Sequence, residues 1–367
     1  MHLVLANRWY PPHSGYGGVA AYNHTLAHAS VGLGHRVSVV AARWSDDVPE
    51  RHTDDGVMVH RLLSRHRYRL HRLPIAGRYM RSFGHLLYSL KVARKLYALG
   101  AEDPFDVVEF AEIGGEGFVY LLRKDRSPVV VRCHTPTFVL RRYHQPQEMR
   151  YDTSIVQAME RYCIRRADAL TAPSRDMATT VAGACGIDQA RILAIPNALD
   201  VEAFAPKDPG KTTRDSDEIT ILHVGRLERI KGIEVLARAI PQVLEEAPRA
   251  RFVFVGAARS DEKAQRWTGR LKEAGGEQVL VLGFVEQSEM IAWYHRADIA
   301  VVPTLNYESF SYTCAQAMAA RLPVVASRIG AIPETVDDGV SGLMIEPGSV
   351  TELSSALIRL IKDADLS

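Results

Sequence analysis

The sequence predicts an α/β protein made of two Rossmann-like domains, and three observations carry that reading. Short β-branched apolar runs alternate with helix-length amphipathic stretches from end to end, as in parallel strands joined by crossover helices. At 367 residues the chain exceeds one ordinary core and fits two domains of average size. Between the halves, the segment from Phe204 to Asp217 is rich in Pro, Gly and polar residues and lacks periodicity, as linkers do. The expected division is a first domain over 1–205, a linker over 206–217 and a second domain over 218–367.

In the first half the expected strands are His2–Ala6, Arg36–Ala41, Val107–Phe110, Val129–Cys133, Ala169–Ala172 and Ile192–Ile195. In the second they are Thr220–Val224, Arg251–Val255, Val279–Leu282, Ile299–Val302, Val324–Ala326 and Gly342–Ile345, followed by a helix over Val350–Lys362. Ligands of open parallel sheets sit beyond the carboxyl ends of the strands, so two facing sheets would share one ligand cleft.

After the first strand, Gly15, Gly17 and Gly18 precede a helical pattern through Tyr22, Leu26 and Leu33. Glycines at such a turn let backbone N–H groups approach a phosphate at the positive end of the helix. The spacing Gly15-x-Gly17-x-x-Ala20 also fits a dinucleotide fingerprint, but that use needs an acid at the end of the second strand, and none occurs before Asp46. A redox cofactor is therefore disfavoured.

Composition narrows the class further. With 47% hydrophobic and 24% charged residues and a net charge of +2, the chain matches a folded globular protein, without the low hydrophobicity of a disordered one. No apolar stretch is long enough to span a bilayer and the first residues are too short for a signal peptide, so a cytoplasmic location is expected. Cys133, Cys163, Cys185 and Cys314 form no Cys-x-x-Cys pair and read as buried thiols. From Arg61 to Lys95, ten Arg and Lys residues occur without an acid, mixed with Tyr68, Phe83, Leu86 and Tyr88. This stretch fits a peripheral contact with an anionic membrane equally with a solvated helix face packed on the first domain, and a polyanionic acceptor is a third reading. His60, His66, His71 and His85 within it lack paired carboxylates and read as basic surface.

Two stretches in the second half carry chemistry. In His223-Val-Gly225-Arg226-Leu-Glu-Arg-Ile-Lys231-Gly232 a strand ends in a turn that projects two cations, suited to a pyrophosphate or simply to solvent. Further on, a strand ends at Pro303, a loop carries Glu308, and a helix begins near Ser309 to Ser311. Free N–H groups at the helix start can hold a phosphate, Glu308 can bond sugar hydroxyls, and Gln316 along the helix can reach a ribose. Asp-x-Asp, the metal signature of many sugar transferases, occurs only at Asp215/Asp217 and Asp363/Asp365, in the linker and tail, so no metal site is expected.

With these motifs in order, the chain resembles the retaining glycosyltransferases of family 4 (group 1), which have the GT-B fold of two Rossmann-like domains with parallel sheets facing a central cleft. The resemblance rests on Gly17-Gly18, Ile195-Pro196-Asn197-x-x-Asp200, Gly225-Arg226-x4-Lys231-Gly232, the region around Glu308, Pro323-Val-Val-Ala-Ser, Ile332-Pro333-Glu334 and Gly339-x-x-Gly342-Leu. It implies a nucleotide diphosphate sugar as donor substrate, with no cofactor and no metal. It also implies a glycan, lipid-linked or small-molecule acceptor, and no nucleic acid partner. Arg226 and Lys231 would hold the diphosphate, Glu308 the sugar, and the amides of Ser309, Phe310 and Ser311 the phosphates. Gly17, Gly18, Gly225, Phe284 and Val285 complete the expected donor-binding set. His134, after the fourth expected strand, falls where the family has a histidine at the reacting sugar, so the expected catalytic group is His134, Arg226, Lys231 and Glu308. The family reacts on one face, with a donor phosphate oxygen taking the acceptor proton. Two departures stand out. Gln316 replaces the family's second Glu, and the chain ends at Ser367, where relatives continue into a further helix. They motivate a rival reading, a non-catalytic sugar-nucleotide or glycan-binding protein of the same fold, with a Rossmann oxidoreductase third.

Overall fold

A computed structural model describes residues 1–13, 17–64, 80–143, 153–206, 218–258 and 260–362, apart from the side chains of Met80 and Arg81. The chain divides into two compact units, Met1–Ala198 and Leu199–Ser367. The division falls ahead of the expected linker, of which 207–217 lie outside the described residues. The short helix Val201–Phe204 belongs to the second unit, where buried Phe204 packs edge-on against Tyr294 at 5.6 Å.

The first unit holds an eight-stranded sheet of β1 (His2–Ala6), β2 (Arg36–Arg43), β3 (Arg51–Asp54), β4 (Val57–Leu63), β5 (Val107–Ala111), β6 (Val129–Arg132), β7 (Ala169–Ala172) and β8 (Ile192–Ala194). The order is β3-β4-β2-β1-β5-β6-β7-β8, and only β3 with β4 runs antiparallel. The hairpin β3–β4 is absent from the sequence expectation because His60 and Arg61 interrupt its apolar run and read as surface cations. Both are in fact buried. Arg61 donates through its two terminal nitrogens to the carbonyls of Tyr10 (3.1 Å), Ala42 (3.3 Å) and Pro11 (2.8 Å), which hold the guanidinium inside the fold. Burial takes the His60 imidazole down to about 4, so it is neutral. Neither belongs to a basic surface. Arg65, Arg67, Arg69, Arg72 and Arg78, with His66 and His71, lie outside the described residues. The helix Met80–Glu102 that closes the stretch buries Tyr88, Val92, Ala93 and Leu96 within the unit.

The second unit holds six parallel strands, β9 (Ile219–Val224), β10 (Ala250–Val255), β11 (Val279–Gly283), β12 (Ile299–Val302), β13 (Val324–Ser327) and β14 (Gly342–Ile345), in the order β11-β10-β9-β12-β13-β14. Successive strand residues face opposite sides of a sheet. Ile221, Phe252, Phe254 and Val301 accordingly pack with Leu236, Ile240, Leu357 and Leu360 of the helices Ile233–Glu246 and Val350–Lys362. Leu222, Val253, Val255 and Ala300 face Tyr294, Cys314 and Ala317 on the other side. Apolar cover on both faces explains why these strands read as continuous hydrophobic runs.

In each sheet the chain starts in the middle and builds outward both ways. The order therefore reverses at β1 beside β5, and again at β9 beside β12. Such switch points open a crevice beyond the strand ends, because consecutive connections leave in opposite directions.

Candidate active site

At the switch point of the second unit, three loops meet backbone to backbone. Gly232 has φ of 77°, and a Cβ there would lie 1.8 Å from the Pro303 carbonyl oxygen, so only glycine lets the turn after β9 lie on the end of β12. Leu305 N–H donates to Ile230 O at 2.9 Å across the same seam. From the other side, Gly330 (φ 57°) would place a Cβ 2.3 Å from the Glu308 carbonyl oxygen, and Ala331 N–H donates to that oxygen at 2.7 Å.

These contacts bring two expected site residues together. Lys231 Nζ donates to Glu308 Oε1 at 2.6 Å, and Thr304 Oγ1 donates to the same oxygen at 3.2 Å. Their side chains keep 28% and 14% of their exposure, enough for solvent or a ligand to reach the ammonium. Arg226 stands on the same turn, half exposed, and pairs with Glu228 at 3.0 Å. The half-exposed guanidinium has further N–H donors beyond the one that Glu228 takes, so it can also meet another anion.

The helix Tyr312–Ala319 starts at this place. Buried Ser311 caps it by accepting from Cys314 N–H (3.3 Å), and Thr313 Oγ1 donates to Val224 O (3.3 Å), which docks the first turn on the end of β9. No acid occupies that turn, so its positive end is not neutralised from within. Ser309 and Phe310 are half-buried just ahead of it. Gln316 is half-buried, and its Oε1 accepts from the Tyr294 hydroxyl at 3.1 Å, a partner the sequence does not reveal. Phe284 directly follows β11 and is 56% exposed, whereas Val285 packs on the core. The sheet order sets both two strands away from β9. Gly225 immediately follows β9.

In the first unit, exposed Gly17 precedes the helix Gly18–Gly32 as its N-cap, while Gly15 lies outside the described residues. His134 follows β6 and is buried. Desolvation, then the positive charge of Arg132, hold its imidazole down at about 3, so the ring is neutral. Its Nε2 is buried without a hydrogen-bond partner. The ring meets Tyr22 edge-on at 4.9 Å, the Arg132 guanidinium covers the Tyr22 ring at 4.3 Å, and the Tyr22 hydroxyl donates to Glu109 at 2.9 Å.

Four glutamates, buried Glu112, Glu116 and Glu160 and half-buried Glu109, surround this region and are absent from the sequence-derived site. Glu112 accepts the backbone N–H of His134 (2.8 Å) on one oxygen and of Thr135 (2.7 Å) on the other, fixing the loop that carries the imidazole. Glu160 accepts from Gly114 N–H (2.9 Å) and from the Thr137 N–H and hydroxyl (2.9 and 2.6 Å). Glu116 pairs with Arg8, and Glu109 takes the Tyr22 hydroxyl. Burial raises all four carboxyls, Glu112 to about 8 and Glu160 to about 7, against the hydrogen bonds that favour the charged form. A legible signal existed. Acids at 109, 112 and 116 cluster around two glycines at the end of β5, where a solvated run would not need glycine. The Ile195-Pro196-Asn197 motif likewise has a structural task here, since Arg132 donates to Ile195 O (2.7 Å) and to Asn197 Oδ1 (2.6 Å). Among the described residues no helix is long and apolar enough to cross a membrane.

Comparison with known proteins converges on one family. Residues 16–203 match the model of Glycosyltransferase Family 4, and residues 218–363 match Glycosyl transferases group 1. A D-inositol 3-phosphate glycosyltransferase of Xylanimonas cellulosilytica is 31% identical over 216 residues, 56% of this chain and 51% of that protein. An uncharacterised glycosyltransferase of Methanocaldococcus jannaschii is 26% identical over 99% of this chain and 90% of its own length. The chain spans about half the length of several curated relatives that it matches. Among solved structures, a sucrose-phosphate synthase from Thermosynechococcus elongatus superposes with a TM-score of 0.80 at 22% identity, covering 99% of this chain and 90% of that one. HepE of Anabaena, solved with UDP-glucose, gives 0.70 at 17%, covering 100% and 90%. With both family models matched in sequence and its fold shared with those structures, this chain belongs to the group 1, family 4 glycosyltransferases of the GT-B fold.

Proposed function

We propose that this chain is a retaining glycosyltransferase that moves a sugar from a nucleotide diphosphate donor to a glycan, lipid-linked or small-molecule acceptor without a metal ion. The observation that carries the reading is the convergence of Lys231, Glu308 and a positive helix end with no acid in its first turn at the β9/β12 switch point. An ammonium has three donors, so Lys231 can keep Glu308 and still take a phosphate oxygen. Arg226 adds a second cation from the same turn. As the bond between the sugar carbon and the phosphate oxygen breaks, charge grows on the departing diphosphate, and fixed cations with helix N–H groups stabilise it where a metal would otherwise stand. Glu308, held by Lys231 and Thr304, accepts hydroxyls of the donor sugar.

Retention follows on one face. The acceptor oxygen bonds to the sugar carbon as the diphosphate leaves, and a phosphate oxygen takes the acceptor proton. Glu112 supports this route, because both its oxygens already hold backbone N–H groups and it makes a poor covalent nucleophile. The neutral imidazole of His134, with a buried nitrogen lacking a partner, suits hydrogen bonding to the sugar or acceptor, not proton abstraction from it. The UDP-glucose held by the Anabaena neighbour makes UDP the first nucleotide to test.

A calorimetric panel of UDP, GDP, ADP and dTDP in EDTA, followed by donor hydrolysis and transfer assays, tests the reading. One nucleotide is expected to bind and its sugar conjugate to turn over in the chelator. Absolute dependence on Mg²⁺ or Mn²⁺ contradicts the metal-free mechanism, and binding without turnover of any conjugate supports a non-catalytic sugar-nucleotide protein instead.

A further inference from the structure

On the first unit, His24 and His28 lie four residues apart on the helix Gly18–Gly32 and Asp54 ends β3. The hairpin edge and the helix thus place two imidazoles and a carboxylate together, with donor atoms all within 4.8 Å of one another. The two imidazole rings stand 4.2 Å apart, His28 Nε2 is 3.3 Å from Asp54 Oδ2, and His24 Nε2 is 3.9 Å from the same oxygen. None of the three is sealed off, with side chains 44%, 25% and 30% exposed.

Hydrogen bonding explains only part of this aim: the Tyr10 hydroxyl also lies 3.4 Å from His28 Nε2, but it leaves the approach of His24 without a bond. The Tyr10 hydroxyl already donates to Asp54 Oδ2 at 2.8 Å, His28 is at the limit of a hydrogen bond, and His24 is beyond it. A tetrahedral ion with bonds of about 2.0–2.1 Å spaces its ligands about 3.3–3.4 Å apart, which the His28–Asp54 distance meets and a small side-chain movement gives for His24. Two histidines at i and i+4 share one helix face and form a natural chelate. Behind them stands a fixed support. Buried Tyr10 orients the carboxylate, and Arg61 in turn holds the Tyr10 and Pro11 carbonyls, the outer-shell arrangement that metal carboxylates require.

We propose that His24, His28 and Asp54 form a binding site for a borderline divalent cation of the Zn²⁺ type, with water completing the shell, that ties the first helix to the β3–β4 edge. Imidazole and carboxylate ligands in this number suit Zn²⁺ or Co²⁺ and not Mg²⁺, which prefers six oxygens. The site is separate from the donor residues on the second unit and does not depend on the reading of their function. It also goes beyond the expectation of no metal, which rests on the Asp-x-Asp signature and does not weigh His24-x3-His28.

The full chain is stripped with EDTA, dialysed and titrated with Zn²⁺, Co²⁺ and Mg²⁺, followed by thermal melting, equilibrium dialysis and, for Co²⁺, visible absorption. One Zn²⁺ is expected to bind with a rise in Tm, Co²⁺ to develop visible bands of a low-coordinate site, and Mg²⁺ to do neither. His28→Gln and Asp54→Asn are each expected to weaken Zn²⁺ at least about ten-fold, as loss of one ligand does, while His35→Ala changes nothing. If a variant folds poorly, the wild-type Co²⁺ spectrum still decides. Absence of stoichiometric binding, a six-oxygen type Co²⁺ spectrum, or equal affinity in folded His28→Gln overturns the site and leaves a Tyr10–Asp54–His28 hydrogen-bond cluster.

Discussion

The two sheets reverse their order in the same way but furnish the strand ends oppositely. Around β1, β5 and β6 the acidic groups are buried Glu112, Glu116 and Glu160 and half-buried Glu109, each bonded to backbone, arginine, threonine or tyrosine donors of the chain itself. Beyond β9 and β12 the charges are a partly exposed Lys231–Glu308 pair, a half-exposed Arg226 and the positive end of a helix. A carboxyl whose bonds are all internal shapes the protein, and a charge still reachable by solvent can shape a ligand. The same topology therefore yields a rigid frame for His134 in one unit and, on the proposed reading, an anion site in the other.

The sharpest way to break this contrast is to replace one ionisable group on each side. Lys231→Ala is expected to lower kcat/KM about 30- to 1,000-fold, the equivalent of about 2–4 kcal/mol of transition-state stabilisation, with Tm nearly unchanged. Steady-state kinetics beside a thermal melt checks it, and Arg226→Ala is expected at the lower end of the range. Unchanged kinetics in both would take the diphosphate away from this turn.

Glu112→Gln should behave the other way. Its amide NH₂ would face one of the two backbone N–H groups that the carboxylate now satisfies, so stability should fall by about 1–3 kcal/mol. Urea unfolding measures it, and a variant of wild-type stability would show that the carboxylate does not hold the His134 loop.

A pH series sharpens the comparison further. Glu112 and Glu160 are raised above the usual carboxylate range, so their share of stability is fully present below about 4.5 and is lost as pH rises through about 7 to 8. His134 is lowered, so its share is present above about 6.5 and lost as pH falls toward about 3. Between pH 6 and 8 the urea midpoint should therefore drop, and Glu112→Gln should flatten that slope. A midpoint constant across the range in the wild type would count against neutral carboxyls in the first unit.

Smallest is the effect at Gln316. Tyr294 holds Oε1, so Gln316→Glu can keep that bond and offer its second oxygen to a ribose hydroxyl, tightening nucleotide binding by about 1 kcal/mol. Dissociation constants for the wild type, Gln316→Glu and Gln316→Ala decide it, and identical values in all three would remove the position from the donor site.

Much of this was legible in the residues. The six strands of the second unit match their expected ranges to within one or two residues, because apolar runs buried on both faces carry an unbroken signal. The β3–β4 hairpin was hidden, since Arg61 reads as a surface cation until the carbonyls of Tyr10, Pro11 and Ala42 are seen around it. Lys231 and Glu308 were nameable from motifs, but their 2.6 Å contact depends on a backbone approach that Gly232 alone permits, a property of the fold and not of the local sequence. Glu112 and Glu160 are 48 residues apart, and nothing in either stretch says they flank one loop. His24-x3-His28 was readable as a helical pair, yet its third partner arrives from the hidden hairpin.

Isothermal titration of the preferred nucleoside diphosphate, in EDTA, into wild type and Lys231→Ala tests the assignment of the anion site most directly. Wild type is expected to bind without metal, and Lys231→Ala to bind at least about ten-fold more weakly while melting at the same temperature. Equal affinity in the two folded proteins would contradict a diphosphate site at the β9/β12 switch point.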